Sequence, residues 1–462
     1  MSRDAAGDRQ TQLDLIDAYT RLGNLQGNIY EQNIGDPKGA SVSLDKALSI
    51  ANTLRSTYAH DPVVLGAFGS VQQSRSDVLL GLNQNKEAFD AIRSSVAAYD
   101  EQMASPSVSP TQMADAALAY SDMGDQLGQS GFTMFDDYTG ALNAYRKSLE
   151  LSQRALAKDP DFVRSKRSVA TAHVKIGNIL VETDPISAIE EYHTSLSYRD
   201  ALPPAEKTKV SYQRIVAMTY WELGIALTEA RDFDKAVTAL DQSRGMMEQI
   251  AIADPKNIRA QYDLAATQLL LAQTLIDRID PVLNAGSIKN RNQDSLRALE
   301  LLRQGIAQRE KFLAVDPKNE RWITSLAYAK VVTGTLMYTR GERNSGAQMS
   351  ASGLATLKAG ASKDDASIDA LGDAVAMMLK VLPENLRDSS LEVKYAERLI
   401  ALDHGRNPEH LLLMAQAYHA AGQTEKARDT AREALALLPA PKPDERETRV
   451  RKLLDIETRA GS

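Results

Sequence analysis

The side chains of this chain best suited to binding metals or moving protons are its six histidines, His60, His173, His193, His404, His410 and His419. His410 and His419 lie two and a half helical turns apart, and the sequence contains no His-Glu-x-x-His motif. His173 and His193 could meet across one helical hairpin, but two ligands without a third make a poor metal site. The sequence therefore predicts no metal ion and no cofactor.

Motifs for covalent catalysis or phosphate transfer are missing from the sequence. Gly23…Gly27 and Gly124…Gly128 lack the Lys-Ser/Thr that completes a phosphate-binding loop, so helix packing explains them better. No Gly-x-Ser-x-Gly elbow occurs, and the His-Arg-Asp and Asp-Phe-Gly motifs of protein kinases are absent. With no cysteine, thiolate catalysis and disulfides are excluded. We expect no catalytic activity in this chain.

Charge and hydropathy limit the classes of partner. The formal net charge is −7 with 25% charged residues, so the basic face of a nucleic-acid binder is not expected. No run approaches the ~18 apolar residues of a membrane span, and the segment from Met1 to Asp14 has no apolar signal core. These features predict a soluble chain that does not insert into a membrane, and its lack of cysteine fits an oxidising compartment.

Helix breakers reveal the elements that would position binding residues. Prolines recur about every 45 to 60 residues, at Asp61-Pro62, Ser105-Pro106, Asp159-Pro160, Pro203-Pro204, Asp254-Pro255, Asp316-Pro317 and Asn407-Pro408. Polar turns lie about halfway between them, at Gly35-Asp36-Pro37, Asn83-Gln84-Asn85, Thr183-Asp184-Pro185, Ala230-Arg231-Asp232 and Gly422-Gln423. Alternation of the two classes predicts a helical hairpin repeated about eight or nine times. Alternating Val/Ile/Thr strand patterns are missing, so the fold class is all-α.

Small residues recur at matching places in these hairpins. The first helix often carries a glycine near its middle, at Gly23, Gly124, Gly177, Gly224 and Gly334. Glycine inside a helix costs about 1 kcal/mol relative to alanine, which predicts that the paired helix packs closely there. The second helix shows small, bulky and small residues in turn, as in Ala141, Tyr145 and Ser148, which lets neighbouring hairpins interlock.

This pattern resembles the tetratricopeptide repeat. Asn407 to Pro439 looks like a standard 34-residue copy and Thr219 to Met247 like a second, whereas the other units have longer helices and a period near 50. The resemblance implies a right-handed α-solenoid that binds a protein or peptide. We expect the array to span residues 13–440, after a polar lead (1–12) and before a capping helix (441–462).

A narrower resemblance lies at the start of the array. Ala18 to Ile50 is similar to the repeat region that follows the membrane anchor in many bacterial eukaryotic-like serine/threonine kinases. That likeness implies the extracytoplasmic, periplasmic sensor half of such a kinase. Two alternatives remain: a freestanding cytoplasmic adaptor, and a fragment of an enzyme whose catalytic domain is absent from this chain.

In tetratricopeptide arrays the first helices line the binding groove, so the resemblance implies candidate groove residues just after the mid-helix glycine and one turn to either side. These are Thr20, Asn24, Asn28, Ser121, Asp125, Gln129, Asn178, Glu182, Trp221, Ile225, Glu229, Thr335, Gln416 and His419. Many are polar side chains that can donate and accept, which suits capture of a peptide backbone. The alternative for each is a solvated surface residue.

Aromatic residues give three further candidates, each with two interpretations. Trp221 is either an interface anchor, a role in which tryptophan is over-represented, or a core residue between hairpins. Trp322 follows Asp316-Pro317 at a helix start and is better explained as a core or staple residue. The segment from Gly131 to Thr139 gathers Phe132, Phe135 and Tyr138, and either folds back on the array or forms a contact loop.

Overall fold

The computed structural model describes residues 8–30, 32–128, 137–181, 183–280, 291–405 and 407–437, and these contain helices but no strand. The helices are α1 (Arg9–Gly27), α2 (Pro37–Thr57), α3 (Pro62–Gly81), α4 (Asn85–Met103), α5 (Pro110–Gly128), α6 (Tyr138–Lys158), α7 (Val163–Leu180), α8 (Pro185–Asp200), α9 (Pro204–Lys207), α10 (Val210–Glu229), α11 (Phe233–Ala253), α12 (Ile258–Ile279), α13 (Arg291–Val315), α14 (Glu320–Thr339), α15 (Arg343–Ala361), α16 (Ile368–Lys380), α17 (Ser389–Asp403), α18 (Pro408–Ala420) and α19 (Thr424–Leu437). The predicted all-α class is confirmed.

The helices form two compact units. Unit 1 consists of Met1–Leu180 with Glu190–Lys207, and unit 2 of Val181–Ile189 with Thr208–Ser462. Unit 1 contains the hairpins α1/α2, α3/α4 and α5/α6, and a fourth in which α7 pairs with the part of α8 from residue 190 onward. Unit 2 contains α10/α11, α12/α13, α14/α15, α16/α17 and α18/α19. The predicted eight or nine hairpins are therefore present in the described residues.

Both classes of predicted turn occur in the structure. At the first proline turn a carboxylate caps the next helix: Asp61 accepts hydrogen bonds from the backbone N–H groups of Val63 (2.8 Å) and Val64 (3.3 Å), with Pro62 in the first turn. At two polar turns Asn83 and Arg231 adopt the left-handed conformation, with φ of 57° and 59°. A side-chain cap followed by proline therefore makes the first turn, and a residue in the left-handed conformation makes each of the other two.

Close packing at the mid-helix glycines is confirmed. A Cβ added at any of five glycines would lie 2.5 to 2.8 Å from an atom of the paired helix, closer than real Cβ atoms come. The five glycines and the residues they meet are Gly23 with Leu44, Gly124 with Tyr145, Gly177 with Tyr192, Gly224 with Leu240, and Gly334 with Gly346 and Ser350. The missing side chain lets each bulky residue, or the helix backbone itself, pack against the first helix.

First helices of successive hairpins also contact one another. In unit 1 these contacts join α1 to α3, α3 to α5 and α5 to α7; in unit 2 they join α14 to α16 and α16 to α18. We call the surface formed by α1, α3, α5 and α7 the first-helix face of unit 1. Helix α1 begins at Arg9, inside the stretch assigned to the polar lead, while the predicted capping helix at 441–462 lies outside the described residues.

Candidate functional site

Polar side chains join neighbouring first helices of unit 1. Hydrogen bonds run from the side-chain amide of Asn28 to Asp77 (2.9 Å), from Gln73 to Asp122 (2.5 Å) and from Gln126 to Ser76 (2.8 Å), and an ion pair joins Lys175 to Asp125. The two partners of each contact are 49 or 50 residues apart, which is one hairpin along the chain. We call this set of residues the polar ladder.

Burial explains why the ladder residues pair with each other. Asn28, Ser76 and Gln126 are buried, and buried polar groups need hydrogen-bond partners to offset lost hydration. Side-chain partners come from the neighbouring hairpin, because the paired second helix contributes small and apolar side chains such as Ala88 and Ala141; its backbone also takes part, since the Ser76 hydroxyl donates to the carbonyl of Ala88 (2.9 Å). The ladder therefore fixes the register between successive hairpins as well as lining the first-helix face.

Asp125 is the most heavily engaged ladder residue. It forms the ion pair with Lys175 and accepts a hydrogen bond from the Tyr145 hydroxyl (2.7 Å). The Lys175 ammonium also lies 5.5 Å from the centroid of the Tyr145 ring. Burial, with the neighbouring Asp125 carboxylate, raises the pKa of the Tyr145 hydroxyl, which keeps it protonated as a donor. The single positive charge of the ladder is thus held at Asp125.

Asp122, one turn away on the same helix, has a different electrostatic environment. Its side chain is only partly exposed, and crowding by protein atoms raises the pKa of its carboxyl to about 7, with a further increase from the Asp125 charge. The Gln73 hydrogen bond and the Lys175 charge act in the opposite direction but do not restore the usual value. No ion pair to Asp122 occurs among the described residues. At pH 7 the carboxyl is therefore about half ionised, and Lys175 offsets its negative charge only in part.

Tyr30 lies at the edge of this acidic region, in the turn after α1. Its side chain is 57% exposed, and its backbone N–H donates to the side-chain oxygen of Asn28 (2.9 Å). Partial burial of the phenol, followed by the charges of Asp77, Asp125 and Asp122, raises the Tyr30 pKa. All three carboxylates therefore disfavour the ionised form of this exposed phenol.

The raised pKa of Asp122 makes stability depend on pH. Because the folded state favours the protonated carboxyl of Asp122, protonation of this group stabilises the fold. This contribution to the unfolding free energy is fully present below about pH 4 and is lost as pH rises through about 7. We expect Asp122→Asn to gain about 1–3 kcal/mol of unfolding free energy relative to wild type between about pH 4 and pH 8. Urea unfolding at both pH values measures the difference, and Glu87→Gln, at an exposed position of α4, controls for loss of a carboxylate. Parallel pH profiles for wild type and Asp122→Asn would contradict the assignment.

Two of the predicted groove residues of unit 1 belong to the ladder, and a third lies beside it. Asn28 and Asp125 belong to the ladder, Asn24 lies 3.4 Å from Asn28, and the exposed Asn178 accepts a hydrogen bond from the Tyr192 hydroxyl (2.8 Å). Ser121 is partly exposed one position before Asp122. Thr20 is buried, and its hydroxyl donates to the carbonyl of Ile16 (2.7 Å), so that hydroxyl is used within its own helix. The predicted residues Gln129 and Glu182 lie outside the described residues.

The predicted groove residues of unit 2 differ in their burial and in their contacts. Trp221 is partly buried and packs against the main core cluster, although part of its side chain stays exposed. Thr335 accepts a hydrogen bond from the backbone N–H of Leu382 (3.3 Å). The others are partly or fully exposed: Ile225, Glu229, Gln416 and His419. Trp322 is partly exposed, and its ring centroid lies 5.3 Å from that of Phe312.

Sequence reasoning missed most of the ladder, including Gln73, Asp77, Asp122 and Lys175, and it also missed Tyr30 beside the ladder. One signal was available, because Asp122 and Lys175 each occupy the position two residues before a mid-helix glycine. What the sequence could not show is which first-helix residues face the neighbouring hairpin. That depends on how far each hairpin is rotated against the next.

Other classes of site find little support in the described ranges. They contain no group of three or more His, Cys, Asp or Glu side chains arranged to hold a metal ion. His173 pairs with Glu191 (2.5 Å) and stacks on Tyr198 at 6.0 Å. Within the same ranges, no helix has both the length and the apolar character needed to cross a bilayer.

Comparison with known proteins gives similar solved structures but no family. No protein-family model matches the chain, and a search of curated proteins finds no significant match. Among similar structures, aspartyl phosphate phosphatase F from Bacillus subtilis is 10% identical, with 95% of this chain and 98% of that chain covered at a TM-score of 0.46. The quorum sensor NprR from B. thuringiensis is 14% identical (93% and 98% covered, TM-score 0.43), and yeast Tom70 is 13% identical (98% and 96%, TM-score 0.38). With scores below 0.5, these likenesses say nothing about function.

Proposed function

We propose that this chain is a protein-binding scaffold that holds an extended segment of a partner on the first-helix face of unit 1, with a basic side chain of the segment beside Asp122. The observation that carries the proposal is the charge of the polar ladder. Asp122 has no ion pair among the described residues, while the ladder's one cation, Lys175, is paired with Asp125. A lysine or arginine side chain would supply the missing positive charge.

The chemistry around the carboxylates suits a peptide better than a metal or small anion. Asn24 and the exposed Asn178 carry amide groups that both donate and accept, as recognition of a peptide backbone requires. Tyr30 presents an exposed aromatic ring beside the acidic region, where a bound cation gains from the ring as well as from the carboxylates. The unit 2 candidates Trp221, Ile225, Glu229, Thr335, Gln416 and His419 are proposed as binding residues of unit 2 by itself.

Selection from a random peptide library tests this function and requires no identified partner. Twelve-residue peptides displayed on phage would be selected against the full chain, and the enriched sequences synthesised. We expect enrichment of lysine or arginine and a loss of affinity of at least about tenfold on Asp122→Lys, because that change replaces attraction by repulsion. Asp17→Lys, on the exposed surface of α1, is the matched charge control. Enriched peptides that are acidic, or that bind Asp122→Lys as tightly as wild type, would contradict the proposal.

A more specific form of the proposal concerns the whole protein. The likeness of Ala18 to Ile50 to the repeat region of bacterial membrane kinases supports a sensor role outside the cytoplasm. In that setting the bound segment would belong to a periplasmic protein. The gene sequence upstream of Met1 tests this directly: a kinase domain followed by an apolar span of ~20 residues supports it, and their absence favours a freestanding adaptor.

A further inference from the structure

Glu392 is a buried carboxylate near the start of α17. The residue is 0% exposed, and neither of its carboxylate oxygens forms a hydrogen bond of ordinary geometry with a described residue. Tyr395, three residues further on, is buried on the same side of α17, and its hydroxyl donates to the carbonyl of Lys358 in α15 (3.1 Å). Glu392 therefore faces the interior of unit 2 beside α15. A buried polar group without a hydrogen bond is exceptional in a folded protein.

The segment that joins α16 to α17, residues 381–388, is weakly tied to the rest of unit 2, and we call it the strap. The backbone N–H of Leu382 donates to the Thr335 hydroxyl of α14 (3.3 Å), and the Lys358 ammonium of α15 donates to the carbonyl of Leu386 (3.5 Å). Both distances are long for hydrogen bonds. Half of the strap residues are exposed, namely Glu384, Asn385, Arg387 and Asp388. The strap is therefore a surface segment that could move without unfolding a helix.

The charges around Glu392 do not compensate for its burial. Burial raises the pKa of its carboxyl; the backbone N–H of Asp388 and the charges of Arg387 and Lys358 lower this pKa, and the charge of Asp388 raises it. The net effect is a raised pKa. Lys358 belongs to α15, whereas Arg387 and Asp388 belong to the strap, so the strap lies close to the carboxyl.

Helices α16 and α18 also pack against α17. Lys380, the last residue of α16, is exposed to solvent. From α18, the Tyr418 hydroxyl donates to Glu397 (3.0 Å), which lies more than one helical turn beyond Glu392. The strap and α15 are therefore the elements whose charges act on Glu392.

An ionised Glu392 is unfavourable in the closed structure, because a buried carboxylate without hydrogen bonds has lost its hydration without replacing it. Movement of the strap would admit water to the carboxylate, while α17 itself stays anchored by buried side chains such as Tyr395. We infer that the strap is a pH-dependent cover, closed over Glu392 when its carboxyl is protonated and open when it is ionised. Opening would separate Leu382 from Thr335, a predicted groove residue of unit 2.

The direction of the pH dependence follows from the raised pKa of Glu392. Because the closed state favours the protonated carboxyl, its stabilisation of the strap is fully present below about pH 4 and is lost as pH rises through the raised pKa. The strap should therefore open more often at pH 8 than at pH 5. This behaviour belongs to unit 2 and does not depend on the proposed peptide site of unit 1.

Hydrogen exchange of the strap amides tests the inference. Exchange in the full chain would be followed by mass spectrometry at pH 5 and pH 8, corrected for the intrinsic effect of pH, with the turn at residues 340–342 as internal reference. We expect the opening constant of the strap to be at least about threefold larger at pH 8 in wild type, and unchanged by pH in Glu392→Gln. Glu433→Gln, at an exposed position of α19, is the matched control and should behave like wild type.

Three results would overturn the inference. One is a strap opening constant in wild type that is the same at pH 5 and pH 8. Another is the same pH dependence in Glu392→Gln as in wild type. The third is an equal increase at residues 340–342, which would assign the opening to unit 2 as a whole. If circular dichroism shows that Glu392→Gln does not fold, Glu392→Met takes its place, because methionine fills a similar volume without a charge.

Discussion

Gly334→Ala is expected to destabilise unit 2 by about 3 kcal/mol or more, because it overpacks a contact between two helix backbones. A Cβ at Gly334 would lie 2.5 Å from the carbonyl oxygen of Gly346 and 2.5 Å from the backbone nitrogen of Ser350. Unlike a leucine or tyrosine side chain, backbone atoms cannot turn aside, so α14 and α15 must separate. Urea unfolding monitored by circular dichroism measures the loss.

Gly245→Ala is the matched control for this prediction. Gly245 lies inside α11 with no atom within 4 Å of its added Cβ. Alanine there should stabilise by about 0.5–1 kcal/mol, the ordinary gain in helix propensity. If Gly334→Ala were as stable as Gly245→Ala, close backbone contact would not be the reason for glycine at position 334.

Arg309→Ala is expected to destabilise unit 2 by about 3–5 kcal/mol, since Arg309 joins three helices from a fully buried position. The side chain is 1% exposed and donates to the Ser325 hydroxyl of α14 (2.7 Å), to Gly305 O of its own α13 (3.0 Å) and to Ala265 O of α12 (3.1 Å). Burial lowers the pKa of the guanidinium to about 10, so it stays charged at neutral pH. Truncation leaves a cavity and removes all three contacts.

Arg309→Met separates the effect of the cavity from that of the charge. The three hydrogen bonds go to neutral oxygens, and methionine fills most of the same volume without a buried charge. Replacing a buried charge by an apolar side chain of similar volume is often nearly neutral, so we expect Arg309→Met to lie within about 1–2 kcal/mol of wild type. Thermal unfolding of both variants tests this. An Arg309→Ala variant with an unchanged Tm would show that the helices need no such clamp.

Much of the fold could be predicted from local sequence. Asp61-Pro62 caps and begins α3, because a carboxylate acceptor and a fixed φ act within four residues. The glycine positions were informative as well. Gly224 lies inside a helix, where glycine is less stable than alanine, and close packing of the paired helix explains its presence there. Gly69, which packs against the ring of Tyr99, was overlooked because it lies near the middle of α3, whereas the five predicted glycines lie in the second half of their helices.

The contacts of the site could not be predicted in this way, because the paired residues belong to different hairpins. Asn28 and Asp77 are 49 residues apart, and their pairing requires the relative rotation of two hairpins, which no local pattern encodes. The predicted groove included Asp125 but assigned it no partner, whereas the structure shows it bound to Lys175 and Tyr145. Trp221 had two possible roles in the sequence, and its packing against the core shows one of them while leaving part of the ring exposed.

If Asp122 receives a cationic side chain of a bound protein segment, binding should release protons. Calorimetric titration of a selected basic peptide at about pH 7, in two buffers of different ionisation enthalpy, counts the protons exchanged. Because the pKa of Asp122 is about 7, binding of a cation should release about half a proton. We expect this proton release for wild type and no such release for Asp122→Asn. The affinity of wild type for the peptide should fall as pH drops below 7. Equal affinity and equal proton exchange for wild type and Asp122→Asn would contradict it.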